Sequence, residues 1–304
     1  MKSSPPPVNH SPSSAPGRPA EVEEWTNRRL VHPVSRAVVD RLVHTPISPN
    51  QVSVASVFAA AAGALCYVKM AWPLGALFGV AFQFLWHVLD GADGDLARRT
   101  GRASPIGELV DGVCDHASQV IVYLAFVAIM LPSFHALAWW IASIAGASHF
   151  IQANAYETGR KTYRRWVYGA AWMRQTAGSA QGVQGALAGL YMGLSRMVSP
   201  GEIDLEAAMT PAMAEGGAAA DRARLIYARY FARLVKRSAI LSGNSRTIAA
   251  FLSMLSAGLF PGGPLWFFLF EITVLNIAVV AVVISRGRRN RDVVMALQAA
   301  SAPN

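Results

Sequence analysis

The chain of 304 residues is long enough for two soluble domains, but 53% of its residues are hydrophobic and only 15% are charged. Its mean hydropathy of +0.31 is too high for a pair of water-soluble domains. The net charge of +9 would suit a nucleic-acid-binding protein, yet lysine and arginine also accumulate on the cytoplasmic side of membrane proteins. An integral membrane protein is therefore favoured over a soluble enzyme, and no nucleic-acid partner is expected.

The N-terminal part of the chain precedes the long apolar runs. Residues 1–22 are rich in proline and serine and have no periodic apolar face, so they are predicted to be a disordered tail. Residues 23–46 are predicted to form an amphipathic helix in the membrane interface. Their apolar residues recur every four positions among arginines, at Leu30, Val34, Val38 and Leu42.

Six apolar runs are predicted to cross the membrane, which makes the fold class all-α and polytopic. Their bounds are 52–68, 71–89, 106–131, 136–156, 247–260 and 265–285. Short outer connections are expected at 69–71, 132–135 and 261–264. The chain is thereby divided into spans 1–4 (47–165, with the motif at 90–115), a cytoplasmic helical insertion (166–243), spans 5 and 6 (244–290) and a C-terminal tail (291–304).

The distribution of positive charge predicts the orientation of these spans. Of the 27 lysines and arginines, all except Lys69 fall on one side of the six predicted spans. Both termini are therefore expected in the cytoplasm, with the protein in the inner (plasma) membrane. A seventh span at 182–198 is rejected because it would place the arginines between 222 and 237 on the outer side. An interfacial or packed cytoplasmic helix is predicted there instead.

Four carboxylates stand where the second span ends and the third begins. Asp90 and Asp93 end the second span, separated by three positions. Asp111 and Asp115 lie in the first turns of the third span, separated by four positions. At about 100° per residue each pair falls on one stripe of its helix, and the turn at 101–103 brings the stripes face to face. Because carboxylates within spans are costly, this pattern predicts a functional cleft at the cytoplasmic boundary.

The donor atoms of this cleft indicate which metal it would bind. Carboxylates so close together repel one another unless a cation neutralises them. Cys66 and Cys114 lie in apolar or helical stretches, which argues against a cysteine-based zinc site. The ligands are then all oxygen atoms, which favours Mg²⁺ or Mn²⁺ over zinc, and four carboxylates suit two ions. The small residues Gly94, Ala97 and Gly107 leave room for a ligand to approach the backbone. Such ions bridge phosphate oxygens, which implies a substrate that carries a diphosphate.

The order and spacing of these residues resemble the signature of the CDP-alcohol phosphotransferase family. The matching run is Asp90-x-x-Asp93-Gly94-x-x-Ala97-Arg98, followed after eight residues by Gly107-x-x-x-Asp111-x-x-x-Asp115. The six spans, the preceding interfacial helix and the Pro49-Asn50 pair that opens the first span are also similar to that family. The resemblance implies transfer of the phosphoalcohol part of a CDP-alcohol to an acceptor hydroxyl with release of CMP.

The resemblance also implies roles for individual residues. The metal ligands would be Asp90, Asp93, Asp111 and Asp115, and Asp115 would also be the candidate general base. The residues that bind CDP would be Asn50, Gly94, Ala97, Arg98 and Gly107. A homodimer is expected because members of the family are commonly dimers.

Several alternatives stay open at this point. The favoured donor is CDP-diacylglycerol with a small polar acceptor of unknown identity, and the alternative is a soluble CDP-amino-alcohol with a lipid hydroxyl as acceptor. Arg160, Lys161 and Arg164 would bind phosphate on an acceptor or lipid donor, or would merely retain topology and contact anionic lipid. The non-enzyme alternative is a divalent-metal transporter, which is disfavoured because the acids cluster at one membrane boundary. Glu271 lies within the sixth span, where packing between protomers is as plausible as function.

Overall fold

Helices account for every regular element in the residues that this computed structural model describes, which are 23–170, 193, 195–260 and 262–301. A π-helical turn at Asn27–Val31 leads into the first helix. The α-helices of the first half are α1 (His32–Leu42), α2 (Pro49–Lys69), α3 (Leu74–Arg99), α4 (Pro105–Phe134) and α5 (Ala136–Tyr168). Those of the second half are α6 (Glu202–Glu215), α7 (Gly217–Arg237), α8 (Gly243–Ser256), α9 (Leu265–Phe270) and α10 (Asn276–Ser301).

Two short helical segments complete the second half. A 3₁₀ turn at Ser238–Leu241 joins α7 to α8, and a π-helical turn at Glu271–Leu275 joins α9 to α10 without a break. The predicted all-α fold class is confirmed for the described residues. The predicted tail at 1–22 and most of the helix predicted at 182–198 lie outside them.

Four helices of the described chain are long and apolar enough to cross a bilayer, which confirms an integral membrane protein. They are α2, α3, α4 and the continuous last helix from Leu265 to Ala300. The predicted fourth span lies in the 33-residue α5, which is not among the four. The predicted fifth span lies in the 14-residue α8, only about 21 Å long against a hydrocarbon core of about 30 Å. The count of six spans therefore stays a prediction, as does the interfacial position of α1.

The connection predicted at 132–135 was wrong. Helix α4 continues through Pro132 to Phe134, and the chain turns at His135, whose φ is 49°. A proline removes one main-chain hydrogen bond, and near the end of a 30-residue helix the preceding turns hold the backbone in place. Where α8 is followed by α9, the Ser253 hydroxyl donates to the Gly263 carbonyl and accepts from the Phe267 amide.

Helices α2 and α3 approach so closely that glycine is required between them. A Cβ at Gly79 would overlap the ring of Tyr67, and a Cβ at Gly63 would lie 3.0 Å from the Gly79 carbonyl oxygen. Helix α1 packs on the other end of α3, where the Ser35 hydroxyl donates to the Val88 carbonyl at 2.8 Å. The helix that carries Asp90 and Asp93 is thus held from two sides.

The local sequence also explains how α2 and α4 begin beside this end of α3. Ser48 and Gln51 form a reciprocal capping box at the start of α2. The predicted N-cap of α4 is confirmed, since the Ser104 hydroxyl accepts from the Gly107 amide at 3.0 Å. Between α3 and α4, Gly101 adopts a φ of 66° and the Arg102 amide donates to the Ala97 carbonyl. This left-handed glycine turn reverses the chain within five residues and sets the acidic ends of α3 and α4 side by side.

The two largest hydrophobic cores of the described residues lie in different layers of the molecule. One core joins the apolar stretches of α2, α3, α4, α5, α8 and α9 around rings such as Phe126, Phe267 and Phe268. The other joins the C-terminal half of α5 to α6, α7 and α10 around Tyr163, Tyr227 and Phe231. The helices of the predicted insertion therefore pack on extensions of α5 and α10, and we call this second group the helical layer.

The close approach of α2 and α3 generates a stability prediction. Gly79→Ala should lower the free energy of unfolding by about 1–3 kcal/mol, because the added methyl group must displace the Tyr67 ring. The midpoint of thermal unfolding of the purified protein in detergent measures this loss. Gly146→Ala is the matched control, since the nearest atom to its Cβ is 3.9 Å away on Tyr123. Equal midpoints for the two variants would contradict the proposed contact.

Candidate active site

Three of the four predicted carboxylates converge on one point between α3 and α4. Asp90, Asp111 and Asp115 each offer one oxygen atom, and these atoms all lie within 4.8 Å of one another. All three side chains are half-buried. The face-to-face arrangement expected from the two helical stripes is therefore found in the structure, with Asp90 next to Asp115 across the interface.

Asp93 borders this group without belonging to it and is more deeply buried, with 4% of its surface exposed. One carboxylate oxygen accepts a hydrogen bond from the Ser53 hydroxyl on α2, and the other accepts from the Gly94 amide. The carboxyl group nevertheless lies close enough to that of Asp111 for the two to interact. Asp93 thus borders the group of three while both its oxygens are engaged by the protein.

The donor set of this centre fits a hard divalent cation. The convergent atoms of the three-residue group are all carboxylate oxygens, which Mg²⁺ and Mn²⁺ prefer to the nitrogen and sulfur ligands typical of zinc. Cys114 lies between Asp111 and Asp115 in the sequence, but its thiol is not part of the group. The residues present therefore suit the metal that the sequence predicts.

The residues predicted to bind CDP lie at the start of α2, near the end of α3 and at the start of α4. Gly107 lies beside Asn50, because a Cβ on Gly107 would be 3.6 Å from the Asn50 side-chain oxygen. Gly94 and Ala97 are half-buried on α3, one and two turns beyond Asp90. Arg98 points outwards, with 55% of its side chain exposed, and pairs with Asp95.

A charged face of α5 stands opposite the carboxylates. Glu157 and Lys161 lie close enough to Asp111 for their charges to interact with it. Arg160 donates to the Glu157 carboxylate at 2.7 Å, and its guanidinium carbon lies 5.3 Å from the centre of the Tyr156 ring.

The charge of Glu157 follows from these neighbours, just beyond the predicted fourth span. Partial burial acts to raise the pKa of Glu157, but the charges of Arg160, Lys161 and Arg164 outweigh burial and lower the pKa. Glu157 is therefore ionised. Two of the three predicted phosphate-binding residues, Arg160 and Lys161, share one face of α5 with this acid, beside the carboxylate group.

Sequence reasoning missed two hydrogen-bonded residues that brace this region. Ser53, buried on α2, holds Asp93 from 40 positions away in the chain. Glu24 accepts from the Tyr156 hydroxyl at 2.6 Å and from the Asn244 side chain at 2.6 Å. A serine in an apolar helix and a glutamate in a charged segment give no local signal of such distant partners.

Glu271 belongs to a buried polar network within one chain. Its carboxylate accepts from Arg246 at 2.8 Å, and the exposed fractions of the two side chains are 0% and 3%. Gln152 accepts from Arg246 at 2.7 Å and donates to the Glu271 carbonyl at 2.9 Å. The network joins α5, α8 and the last helix, so Glu271 packs inside the protomer, and the alternatives of packing between protomers and of function stay predictions.

The fold and the carboxylate group together define an all-α membrane protein with three acids, suited to a divalent cation, at the polar end of two helices. Comparison with known proteins finds a family that matches part of the chain. Residues 46–194 match the family model described as CDP-alcohol phosphatidyltransferase. The chain therefore carries a CDP-alcohol phosphatidyltransferase domain at these residues, which confirms the resemblance seen in the aspartate motif.

Individual relatives match over shorter stretches. Over 115 residues, 38% of this chain, it is 29% identical to phosphatidylinositol phosphate synthase of Mycobacterium marinum and 30% identical to that of Mycobacterium tuberculosis. These matches span 41% and 44% of the two relatives, less than half of their length. Over 48 residues, 16% of this chain and 14% of the relative, it is 48% identical to cholinephosphotransferase 1 of Gallus gallus.

The arrangement of the acids generates a prediction about metal binding. Asp111→Asn should weaken Mn²⁺ binding to the purified protein at least tenfold, because it replaces one of the three charged carboxylates of the group by a neutral amide. Titration calorimetry or the electron paramagnetic resonance signal of free Mn²⁺ measures the affinity. Asp95→Asn is the matched control, because Asp95 pairs with Arg98 and lies outside the group of three. Equal Mn²⁺ affinities for the two variants would place the metal elsewhere.

The hydrogen bond from Ser53 generates a second prediction. Ser53→Ala should weaken Mn²⁺ binding by about 10-fold, because loss of a residue that orients a ligand typically costs 10–100-fold in affinity. Ser56→Ala is the control, since the Ser56 hydroxyl donates within α2 to the Ser53 carbonyl. An unchanged Mn²⁺ affinity in Ser53→Ala would show that metal binding does not depend on the hydrogen bond from Ser53 to Asp93.

Proposed function

We propose that this protein is a membrane transferase that moves a phosphoalcohol from a CDP-alcohol to an acceptor hydroxyl and releases CMP, in phospholipid biosynthesis. The observation that carries the proposal is the convergence of Asp90, Asp111 and Asp115 inside the segment that matches the family model. A centre of this kind at the polar end of two apolar helices suits a substrate with a lipid tail and a charged headgroup.

The roles of the carboxylates follow from their positions. Asp90, Asp93, Asp111 and Asp115 would hold Mg²⁺ or Mn²⁺, and four acids suit two ions. A cation bound there would neutralise the diphosphate of the donor and make CMP a better leaving group. Asp115 would accept the proton of the attacking hydroxyl, whose oxygen forms the new bond to phosphorus while the bond to CMP breaks. Asn50, Gly94, Ala97, Arg98 and Gly107 would position the CDP part of the donor beside these acids.

The favoured donor is CDP-diacylglycerol with a small polar acceptor. The relatives named phosphatidylinositol phosphate synthase support this choice, because their name describes a phosphatidyl product with a phosphorylated headgroup. The cationic residues on α5 support it as well, since guanidinium and ammonium groups near the acids would bind a phosphate on the acceptor. In this assignment Arg160, Lys161 and Arg164 form the acceptor site.

In the second candidate reaction the donor is water-soluble and the acceptor is a lipid. A soluble CDP-amino-alcohol would donate to a lipid hydroxyl, and the match to cholinephosphotransferase 1 favours it over 48 residues. The ionised Glu157 would then contact the amine. This reaction is the second candidate because the Glu157 carboxylate already accepts a hydrogen bond from Arg160. A carboxylate paired with a guanidinium attracts an amine less strongly.

The orientation and assembly complete the proposal. The distribution of lysine and arginine supports cytoplasmic termini and a cytoplasmic active site in the inner membrane. A homodimer is proposed because members of the family are commonly dimers. The alternative of a divalent-metal transporter has less support, because one group of convergent acids is found in the described part of the chain, at one end of the spans.

The test is release of CMP by the protein in membranes supplied with CDP-diacylglycerol and Mg²⁺. Asp93→Asn and Asp115→Asn should each abolish CMP release while leaving the protein folded and inserted, because they remove a metal ligand and the proposed base. Asp95→Asn should retain activity, since Asp95 pairs with Arg98. Undiminished turnover in either active-site variant would contradict the assignment.

The acceptor is identified by adding serine, glycerol 3-phosphate, inositol and inositol phosphate separately to the same reaction. Arg160→Ala should raise the apparent KM for a phosphorylated acceptor about tenfold, as expected for the loss of one charge-assisted hydrogen bond. Arg165→Ala is the control, because Arg165 pairs with Glu206 of the helical layer at 2.6 Å. An unchanged KM in Arg160→Ala would favour the alternative that the cationic cluster retains the membrane topology and contacts anionic lipid.

A further inference from the structure

Helix α5 has two faces with different surroundings, one with charged side chains and one with small residues. About 100° of rotation per residue places Glu157, Arg160, Lys161 and Arg164 on one face, which we call the front face, towards the carboxylates. The same arithmetic places Ala155, Gly159 and Thr162 on the opposite side, which we call the rear face. The rear face is buried against the last helix and the helical layer. Whatever fixes the rear face therefore sets the position of the front face.

Arg286 on α10 occupies the rear face, and only 5% of its surface is exposed. One terminal nitrogen donates to the Ala155 carbonyl of α5 at 2.8 Å. The other donates to the Val198 carbonyl at 2.7 Å and to the Ser199 hydroxyl at 3.2 Å. A planar guanidinium can make both sets of bonds at once, whereas a lysine ammonium lacks this forked geometry.

Gly159 provides the space that this arrangement requires. A Cβ at this position would lie 2.5 Å from a terminal nitrogen of Arg286, so any side chain there must move the guanidinium. The segment beyond Val198 is held by the same helix, because the Asn290 side chain donates to the Pro200 carbonyl at 2.8 Å. Residues of α10 therefore bind α5 and the chain that leads into α6 to one another.

The charge of Arg286 is balanced locally rather than by the carboxylates of the active site. The buried Glu202, at the start of α6, is near enough for its charge to act on Arg286. Burying a guanidinium is costly unless its donors are satisfied, and here main-chain carbonyls satisfy them. The cost is offset by contacts that join three elements, which indicates that holding those elements together is what the residue does.

We propose that Arg286 is a positioning residue for the acceptor site: it fixes the rear face of α5 so that Arg160 and Lys161 on the front face meet a phosphorylated acceptor. This inference rests on the proposed transfer reaction for its effect on KM, but the contact itself does not depend on it. Arg286 lies outside residues 46–194, as does Glu24, which holds Tyr156 beneath Arg160. Elements beyond the matched domain would therefore set how the acceptor is bound.

The experiment compares Arg286→Met, Gly159→Ala and the double variant, with Arg289→Met as the matched control. Arg289 lies one turn further along α10 and donates to the Tyr230 carbonyl of α7 instead of to α5. The first readout is hydrogen exchange of the backbone amides of residues 155–165 in purified protein. The second is steady-state kinetics with CDP-diacylglycerol and whichever of inositol phosphate and glycerol 3-phosphate supports turnover.

Both single variants should speed amide exchange in residues 155–165 and raise the acceptor KM about tenfold, with kcat and the donor KM within about twofold of wild type. The double variant should be no worse than either single variant, because Gly159→Ala acts only by displacing a guanidinium that is then absent. Arg289→Met should leave the acceptor KM unchanged. Gly159→Ala removes no charge, so it tests the proposal even where Arg286→Met fails to insert.

Other outcomes would overturn the inference. A raised KM in Arg286→Met but not in Gly159→Ala would show that Arg286 binds the substrate itself. Faster exchange with an unchanged acceptor KM would show a contact that serves stability alone. If wild-type protein releases no CMP, the proposed function fails, and unchanged exchange in both single variants would separately overturn the contact.

Discussion

The structure depends on holding like charges together at the polar end of a membrane helix pair. Three carboxylates share a space in which their oxygens lie within 4.8 Å of one another, and a fourth borders it. Such a group repels itself, so the surrounding protein must resist its separation. The glycine turn at Gly101, the Ser104 cap and the packing of α1 and α2 against α3 provide that resistance. A group held in this way lowers its own energy by accepting a divalent cation, which is the property that the proposed chemistry needs.

The features that sequence could predict are those set by neighbours in the chain. Helical arithmetic placed the stripe of Asp90 and Asp93 opposite that of Asp111 and Asp115, because each pair of acids lies within two turns of one helix and a short turn joins the helices. The N-cap at Ser104 was predictable for the same reason, since a cap and its helix are contiguous. The hydrophobic runs likewise predicted α2, α3, α4 and the last helix, because apolar length is a local property.

The features that sequence could not predict join residues far apart in the chain. Ser53 and Asp93 are separated by 40 positions, and Arg286 and Ala155 by 131, so no period or spacing relates them. The charge distribution along the sequence predicted Arg246 to be one more cytoplasmic cation, yet its side chain is buried against Glu271. Pro132 reads as a helix end, although the turns before it keep α4 intact. In each case tertiary contacts decided what local preference left open.

The division into layers suggests how acceptor choice and chemistry are separated. The acids, their caps and the residues proposed to bind CDP all belong to α2, α3 and α4, within the segment that matches the family model. The proposed acceptor residues belong to α5, whose other contacts reach Glu24 before that segment and Arg286 after it. If the proposed role of Arg286 holds, changes in those flanking parts would act first on the front face of α5 and not on the helices that carry the carboxylates. Because binding of a phosphate depends on hydrogen-bond geometry, such changes would alter acceptor binding before they alter the proposed transfer chemistry.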